Sequence, residues 1–451
     1  MTNPGCTAQG KTKVNIVPLC EVNLSSFLPS MTTLFPNILD TMGSDKPTSE
    51  KRKALEEFTS FKGFTVNLQN FHTPCSMCCD IVKELTYPRK SIAVFNIEFI
   101  EALLYGDVDL GVKGEDITFF TDCGEKAALV RYSPRYKGVN IQMTVFHDKG
   151  IETMTQQYRK RFDGVCLNAP YQPEVKENKK GGGSGSRNVL HDKFTKLALA
   201  IVKDGGEVAN IHPPKWRKPK DEIYPLISKL QMRILKINSS KKGIEVFNAA
   251  TAFDWYVLEN VARYGKTKIV YKESAENGEV EKVEEFDLSS FPFLPSSNFH
   301  MMDKLVAKSG EKRCTVLFDR MSYGTDQRAM SMEKSDVFLH PCLNKPNYPK
   351  AKDFLSFSNY KGSFFNTPKV VFTECGIIHN CVVDFKGEYG ITQNAIGLKI
   401  TSEEEGQNIK RALESKQFKD FLPTFRWSTS RIDWRMFEYF KADFWKEFIH
   451  E

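Results

Sequence analysis

The run Phe162-Asp163-Gly164-Val165-Cys166-Leu167 constrains the fold more than any other stretch. It is short and apolar, the pattern of a strand buried on both faces of a parallel sheet. It stops on Asn168, Ala169, Pro170 and Tyr171, which sets an amide, a proline and an aromatic ring at the carboxyl edge of that sheet. Open α/β sheets hold their ligands along this edge. The segment 179–188, Lys-Lys-Gly-Gly-Gly-Ser-Gly-Ser-Arg-Asn, comes next. Its glycines predict little fixed structure without a ligand, so it reads as a basic, flexible lip over a pocket. Phe194 to Val202 is apolar at helical spacing, Lys203-Asp204-Gly205-Gly206 reads as a turn, and Glu207 to Ile211 as the next strand, leading into His212-Pro213-Pro214-Lys215-Trp216-Arg217. Strand, loop, helix, turn and strand make one βαβ unit and predict an α/β fold.

At 451 residues the chain can hold two or three domains, each with its own core. With 41% hydrophobic and 26% charged residues it reads as a soluble globule, although 34 phenylalanines is a high count. No run reaches the length of a membrane span, and Met1 to Ser30 has neither the charged-then-apolar pattern of a secretory leader nor an Arg-rich amphipathic one, so an intracellular site is expected. The net charge of +7 suits a polyanionic partner without requiring one, because the basic residues are dispersed. The 11 cysteines form no disulfide framework. Cys75, Cys78 and Cys79 are the only close cluster; no second pair stands at knuckle spacing, so no metal is expected.

Asn168-Ala169-Pro170-Tyr171 resembles the Asn-Pro-Pro-Tyr motif of amino-group DNA methyltransferases, which methylate adenine N6 or cytosine N4 with S-adenosylmethionine. The Gly-rich insert, the Asp204-Gly205-Gly206 turn and His212-Pro213-x-x-Trp216-Arg217 resemble the segments downstream of that motif in the adenine-N6 enzymes of the Eco57I and TaqI type. The likeness spans roughly Thr73 to Trp445 and is strongest from Phe162 to Trp255. An exocyclic amine has two hydrogens and a lone pair tied into the ring, so a catalyst must accept both hydrogens and free the lone pair. The side-chain oxygen of Asn168 and the carbonyl of Ala169 can accept them, Pro170 stiffens the loop, and Tyr171 can stack on an extruded base. Ala169 stands where the family has proline; the carbonyl survives, and one locked φ is lost. A strand ending in an ordinary Asn/Pro turn is the alternative for the tetrapeptide alone.

The resemblance also implies where the cofactor lies. Thr73-Pro74 matches a pair that opens the helix beside the methionine end of the cofactor; Thr73 is equally a good helix cap. The strand Ser91 to Asn96 is followed by the helix Ile97 to Gly106, where the family has glycines and this chain has Phe95-Asn96-Ile97-Glu98-Phe99. Asn96 could bond the cofactor's amine or carboxylate, and Glu98 lies beside it. Asp122, after the strand Ile117 to Thr121, fits an acid that accepts ribose hydroxyls, and Asp148, after the strand Asn140 to Phe146, one near the adenine amine. Either acid could instead cap a helix.

The rest of the chain is read in the same way. The first 45 residues form an extension, and Ser49 to Phe58 a charged helix. Asp221 to Gln231 reads as a helix and Arg233 to Ile237 as a strand. Glu245 to Leu258 resembles the last hairpin of the catalytic sheet, with Thr251, Phe253 and Trp255 lining the base pocket or filling the core. Thr267 to Tyr271 and Glu284 to Leu288 form a hairpin turned at Asn277-Gly278. From about residue 298 a Ser-, Gly-, Lys- and aromatic-rich region, with strands at Lys369 to Phe372, Cys381 to Phe385 and Ile396 to Ile400, resembles a target-recognition domain. Binding of bases and phosphates and a solvated β domain both fit its composition. Phe437 to Trp445 reads as a final helix packed on the body.

The expectation is therefore a Rossmann-like α/β sheet over 46–297, a mixed α+β recognition domain over 298–451, and methylation of adenine N6 in DNA. Arg187, His212, Trp216, Arg217, Thr251 and Phe253 would meet the substrate. DNA is the expected partner, with no membrane, in the cytoplasm or wherever DNA lies in a nucleoid, nucleus or viral compartment; a protein partner could stabilise the cofactor site. The alternative is a protein with a decayed cofactor site that binds DNA or a protein partner. Cytosine N4 stays open as the target.

Overall fold

A computed structural model of the chain describes residues 73–86, 89–169, 190–275, 278–319, 329–346, 355–362, 364–427 and 431–449. The expected extension, the helix from Ser49, Pro170, Tyr171 and the glycine-rich segment with Arg187 lie outside them. The elements in chain order begin with α1 (Cys75–Val82), β1 (Ile92–Val94), α2 (Ile97–Tyr105), β2 (Ile117–Thr121) and α3 (Gly124–Tyr132). They continue with β3 (Asn140–Met143), α4 (Asp148–Gln157), β4 (Phe162–Asn168), α5 (Leu190–Ile201) and β5 (Val202–His212). Then come α6 (Tyr224–Ile227), β6 (Leu230–Asn238), α7 (Ser240–Phe247), β7 (Phe253–Ala262), β8 (Thr267–Ala275) and β9 (Gly278–Phe286).

The chain divides into two compact units. The first holds the described residues up to His212 with Ile244–Ala249 and Trp255–Val261; the second holds Pro213–Gly243, Ala250–Asp254 and the residues from Ala262 onward.

In the first unit the strands lie in the order β3-β2-β1-β4-β5-β7. β1 pairs in parallel with β2 and β4, β2 with β3, and β4 with β5. This is an α/β Rossmann-like sheet, and the reason is visible in the side chains. Ile92, Ala93 and Val94 are fully buried, as are Val165, Cys166 and Leu167, so both faces of the central strands need helices over them. Phe120 stacks on Phe95 (5.4 Å between centroids) and meets Phe162 and Tyr158 edge-on, an aromatic core beneath the carboxyl edge.

Several local expectations change. β3 stops at Met143, because Phe146 turns inward against Phe95 and Phe194 and His147 caps α4. The expected turn Lys203-Gly206 lies inside β5, where its register against β4 shifts and Gly205 takes φ +73°. Gly150, in the first turn of α4, leaves no room for a side chain: a Cβ there would stand 1.9 Å from the Val145 carbonyl.

In the second unit β6, β8 and β9 are neighbours, with β6 parallel to β8 and β8 antiparallel to β9 from Thr267↔Phe286 to Ala275↔Gly278. The expected helix Asp221 to Gln231 shrinks to α6, and its last two residues, Leu230 and Gln231, open β6, which pairs with β8 from Ile234. Glu245–Phe247 end a helix, and β7 comes after it, where a hairpin was expected. Asn248, at φ +52°, closes α7 with a left-handed residue.

Later come α8 (Phe299–Leu305), β10 (Val316–Leu317), β11 (Met330–Ser331), β12 (His340–Leu343), β13 (Leu355–Ser358), β14 (Lys369–Thr373), β15 (Val382–Asp384), β16 (Gly390–Ile391), β17 (Ala395–Lys399), α9 (Glu403–Glu414) and α10 (Lys416–Phe421). They form two four-stranded sheets, β10-β17-β14-β15 and β11-β13-β12-β16. The final aromatic run is two 3-10 turns, Trp434–Tyr439 and Phe444–Glu447, and no single helix. Between them Lys441 N–H donates to Leu305 O and Ala442 N–H to Lys312 O, so tertiary pairing overrides the helical spacing. The rings are packed as the spacing predicts: Phe437, Phe440 and Phe444 are fully buried among Phe372, Phe418 and Phe425. No helix among the described residues is long and apolar enough to cross a membrane.

Candidate active site

β2, β1, β4 and β5 run in parallel, so their carboxyl ends bring Asp122, Asn96, Asn168 and His212 to one edge of the sheet. The best-built group there surrounds Asn168. Its backbone N–H donates to Asn96 Oδ1 at 2.7 Å, and Asn96 Nδ2 donates back to the Asn168 carbonyl at 3.3 Å. Its side-chain Nδ2 donates to Thr73 Oγ1 at 2.9 Å. Thr73 is 3% exposed and Asn96 8%, so these bonds are shielded from water and hold the loop end of β4.

The consequence is directional. With the amide nitrogen of Asn168 taken by Thr73, the carboxamide plane is set and Oδ1 is left as the acceptor for an incoming donor. Ala169 is 3% exposed, so its small side chain is packed while the chain leaves the sheet. A buried Thr-Asn-Asn arrangement at a strand end can orient a hydrogen-bond donor such as an amine.

Other expected site residues are placed differently. Asn96, read as a cofactor contact, spends its carboxamide on the Asn168 backbone and acts as a positioning residue. Thr73 makes no cap bond to α1, whose N-cap position Pro74 holds; its hydroxyl faces Asn168. Glu98 lies in the first turn of α2 and is 3% exposed. Asp122 is exposed just past the end of β2. Asp148 is the first residue of α4, several residues beyond β3, and its exposed carboxylate pairs with Lys193 on α5.

Trp216 and Arg217, expected at the substrate, lie in the interior of the second unit at 0% and 1% exposure. Trp216 Nε1 donates to Asp254 Oδ2 at 2.9 Å, Arg217 Nε donates to the same oxygen at 2.7 Å, and Arg217 Nη1 donates to the Pro295 carbonyl at 2.6 Å. Burial pushes the Asp254 carboxyl up from its ordinary range, and Arg217 and Trp216 oppose that shift. An indole and a guanidinium spent on a buried carboxylate organise a core. Phe253, also in the second unit, is 1% exposed at the start of β7, and Thr251 is half-buried with its hydroxyl on the Ala252 carbonyl.

His212 is fully buried at the end of β5, where its ring stands edge-on to that of His191 on α5. The sequence carries no signal for His191, nor for the bond between Thr73 and Asn168, which joins positions 95 residues apart.

No family model and no curated protein matches this sequence. Among solved structures, the chain is similar to a protein of Listeria monocytogenes described as a class I S-adenosylmethionine-dependent methyltransferase. They share 14% identity at a TM-score of 0.33, covering 49% of this chain and 72% of the other. The type IIL restriction-modification enzyme MmeI, solved with DNA, is 10% identical at a TM-score of 0.42, covering 92% of this chain and 66% of its own. The ATP-dependent type ISP restriction-modification enzyme LlaBIII, bound to DNA, is 10% identical at a TM-score of 0.43, covering 86% of this chain; the match spans 40% of LlaBIII.

Proposed function

We propose that this chain is an S-adenosylmethionine-dependent methyltransferase acting on an exocyclic amino group, adenine N6 of DNA. The observation that carries the reading is the Asn168 carboxamide, fixed through Thr73 and Asn96 so that Oδ1 stands at the carboxyl edge as an amine acceptor. A parallel sheet with Asp122 exposed past β2 supports a cofactor whose ribose hydroxyls that carboxylate would hold. When bound, S-adenosylmethionine supplies an electrophilic methyl group on sulfur. Asn168 Oδ1 accepts one amine hydrogen, which orients the nitrogen lone pair out of conjugation with the ring. Thr73 keeps that oxygen from rotating away, and no general base is needed in advance, since the amine loses its proton as methylation proceeds. The target base, DNA as substrate and Ala169 O as the second acceptor belong to this proposal.

The segment Phe95-Asn96-Ile97-Glu98 passes β1 without a glycine, and Ile97 and Glu98 are buried in α2. A ligand backbone cannot approach them as it would glycine. Cofactor binding by the isolated chain should therefore be weak, with a Kd above micromolar, and tighten when DNA or a protein partner is present. Calorimetric titration with S-adenosylmethionine, with and without duplex DNA, measures this. Sub-micromolar binding by the chain alone would remove the argument from the missing glycines. Absence of binding in both conditions would leave the second reading, a decayed site that grips DNA or a partner.

Thr73→Val keeps the shape and removes Oγ1. The change should lower methyl transfer by about tenfold, the equivalent of one net hydrogen bond of about 1 to 1.5 kcal/mol, with substrate binding unchanged. Single-turnover transfer of a labelled methyl group to unmethylated DNA reads it, and a wild-type rate would show that Thr73 does not orient Asn168.

A further inference from the structure

We propose that His191, Asp192 and His212 form a binding site for one first-row divalent metal ion, zinc in the first instance. His191 and Asp192 lie in the first turn of α5, and His212 closes β5. The two imidazole rings stand at 88° with centroids 4.8 Å apart. Asp192 Oδ1 is 3.3 Å from His191 Nε2 and 3.9 Å from His212 Nε2, and one ligand atom from each residue falls within 4.8 Å of the other two. At 3.9 Å the carboxylate and His212 are too far apart for a hydrogen bond. Ligands around a tetrahedral zinc at about 2.0–2.2 Å stand roughly 3.3 Å from one another. The His191–Asp192 separation already matches that spacing, and the His212–Asp192 separation exceeds it by about 0.6 Å.

The donor set selects the ion. Two imidazoles and one carboxylate suit zinc and its first-row neighbours, whereas magnesium and calcium take oxygen ligands. Three protein ligands leave one tetrahedral position for water or another ligand. The histidines are shielded and the carboxylate lies nearer solvent: His191 is 5% exposed, His212 is fully buried, and the Asp192 side chain is 18% exposed.

Both ligand carriers are tied together next to the cluster. Asn210, two residues before His212 and on the same face of β5, donates Nδ2 to Thr195 Oγ1 at 3.1 Å and to Tyr256 Oη at 2.9 Å. Thr195 Oγ1 donates to the His191 carbonyl at 3.0 Å. This buried network clamps the first turn of α5 to β5, so the three ligands are held near their positions before an ion arrives. Cysteine spacing, the only metal signal in the sequence, points elsewhere, and the residues of this cluster belong to no spacing motif. The pairing of Asn168 with Ile211 sets the site one residue from the strand partner of the candidate acceptor. The inference does not rest on methyl transfer.

The test uses the full chain, stripped with chelator and titrated calorimetrically with zinc chloride. Cobalt(II) serves as the spectroscopic probe, and thermal melts are run with and without zinc. The expected result is one ion per chain, a tetrahedral cobalt spectrum in the visible, and a melting midpoint raised by zinc. His212→Ala should weaken binding by more than about a hundredfold, as should Asp192→Asn, which preserves shape and lies nearer solvent should the buried His212 variant fail to fold. Cys78→Ala should bind as wild type. The proposal is overturned if neither zinc nor cobalt binds saturably, or if Asp192→Asn binds as tightly as the parent, or if Cys78→Ala abolishes binding.

Discussion

Asn168→Ala should lower methyl transfer by about 10² to 10³, the equivalent of about 3 to 4 kcal/mol of transition-state stabilisation, with DNA binding and folding retained. The size comes from geometry. Oδ1 is the acceptor left by a carboxamide whose nitrogen donates to Thr73, so truncation removes the amine's partner outright. Folding should survive because the bond from Asn168 N–H to Asn96 uses the backbone, which alanine keeps. Tritiated methyl transfer to unmethylated DNA, followed by nucleoside mass spectrometry, measures the loss. A variant as active as wild type would reject the catalytic role of Asn168 while leaving the sheet and its topology untouched.

The largest effect on stability is expected in the second unit. Lys369 and Asp384 are 0% and 1% exposed at their side chains and pair at 2.5 Å across β14 and β15. Lys369 Nζ also donates to the Phe364 and Thr367 carbonyls at 3.0 and 3.1 Å, and Asp384 accepts the backbone N–H groups of Glu388 and Tyr389. Burial pulls the Lys369 ammonium below its ordinary range, and Asp384 works against that shift. Lys369→Met would strand a buried carboxylate and should cost about 3 to 5 kcal/mol, read as a lower urea midpoint. The pair Lys369→Met with Asp384→Leu should recover much of that loss, because no charge is then left buried. Equal destabilisation by the single and double variants would show that the packing of the lysine stem, and not the charge, carries the effect.

Local chemistry determined a good part of this protein without any tertiary information. β2 spans Ile117–Thr121 as its β-branched and aromatic run predicts, and β4 ends in the amide that closes its apolar run. β8 and β9 form the expected antiparallel pair, whose last rung is Ala275↔Gly278 with Gly278 at φ +118°; Asn277 of the expected Asn277-Gly278 turn lies outside the described residues. The helix Lys416–Phe421 has Ser415 as its cap. In each case the deciding forces act within a few residues: side-chain periodicity, turn conformations and caps.

What only the tertiary structure decided are the partnerships. Thr73 looks like a helix cap in sequence, and its hydroxyl is 2.9 Å from an amide 95 residues away. Trp216 and Arg217 look like a nucleic-acid contact, and both close on Asp254 inside a core, since a buried carboxylate must be matched wherever the fold sets it down. The final aromatic run keeps its buried rings and loses its helix, because backbone groups near Leu305 and Lys312 compete for its amides. His191 and His212 carry no mutual signal in the chain and meet because a helix start and a strand end share one edge of a parallel sheet. Hydrogen bonds and charge pairs between distant residues leave no periodicity to read, so these contacts appear only once the sheet has set the distances between them.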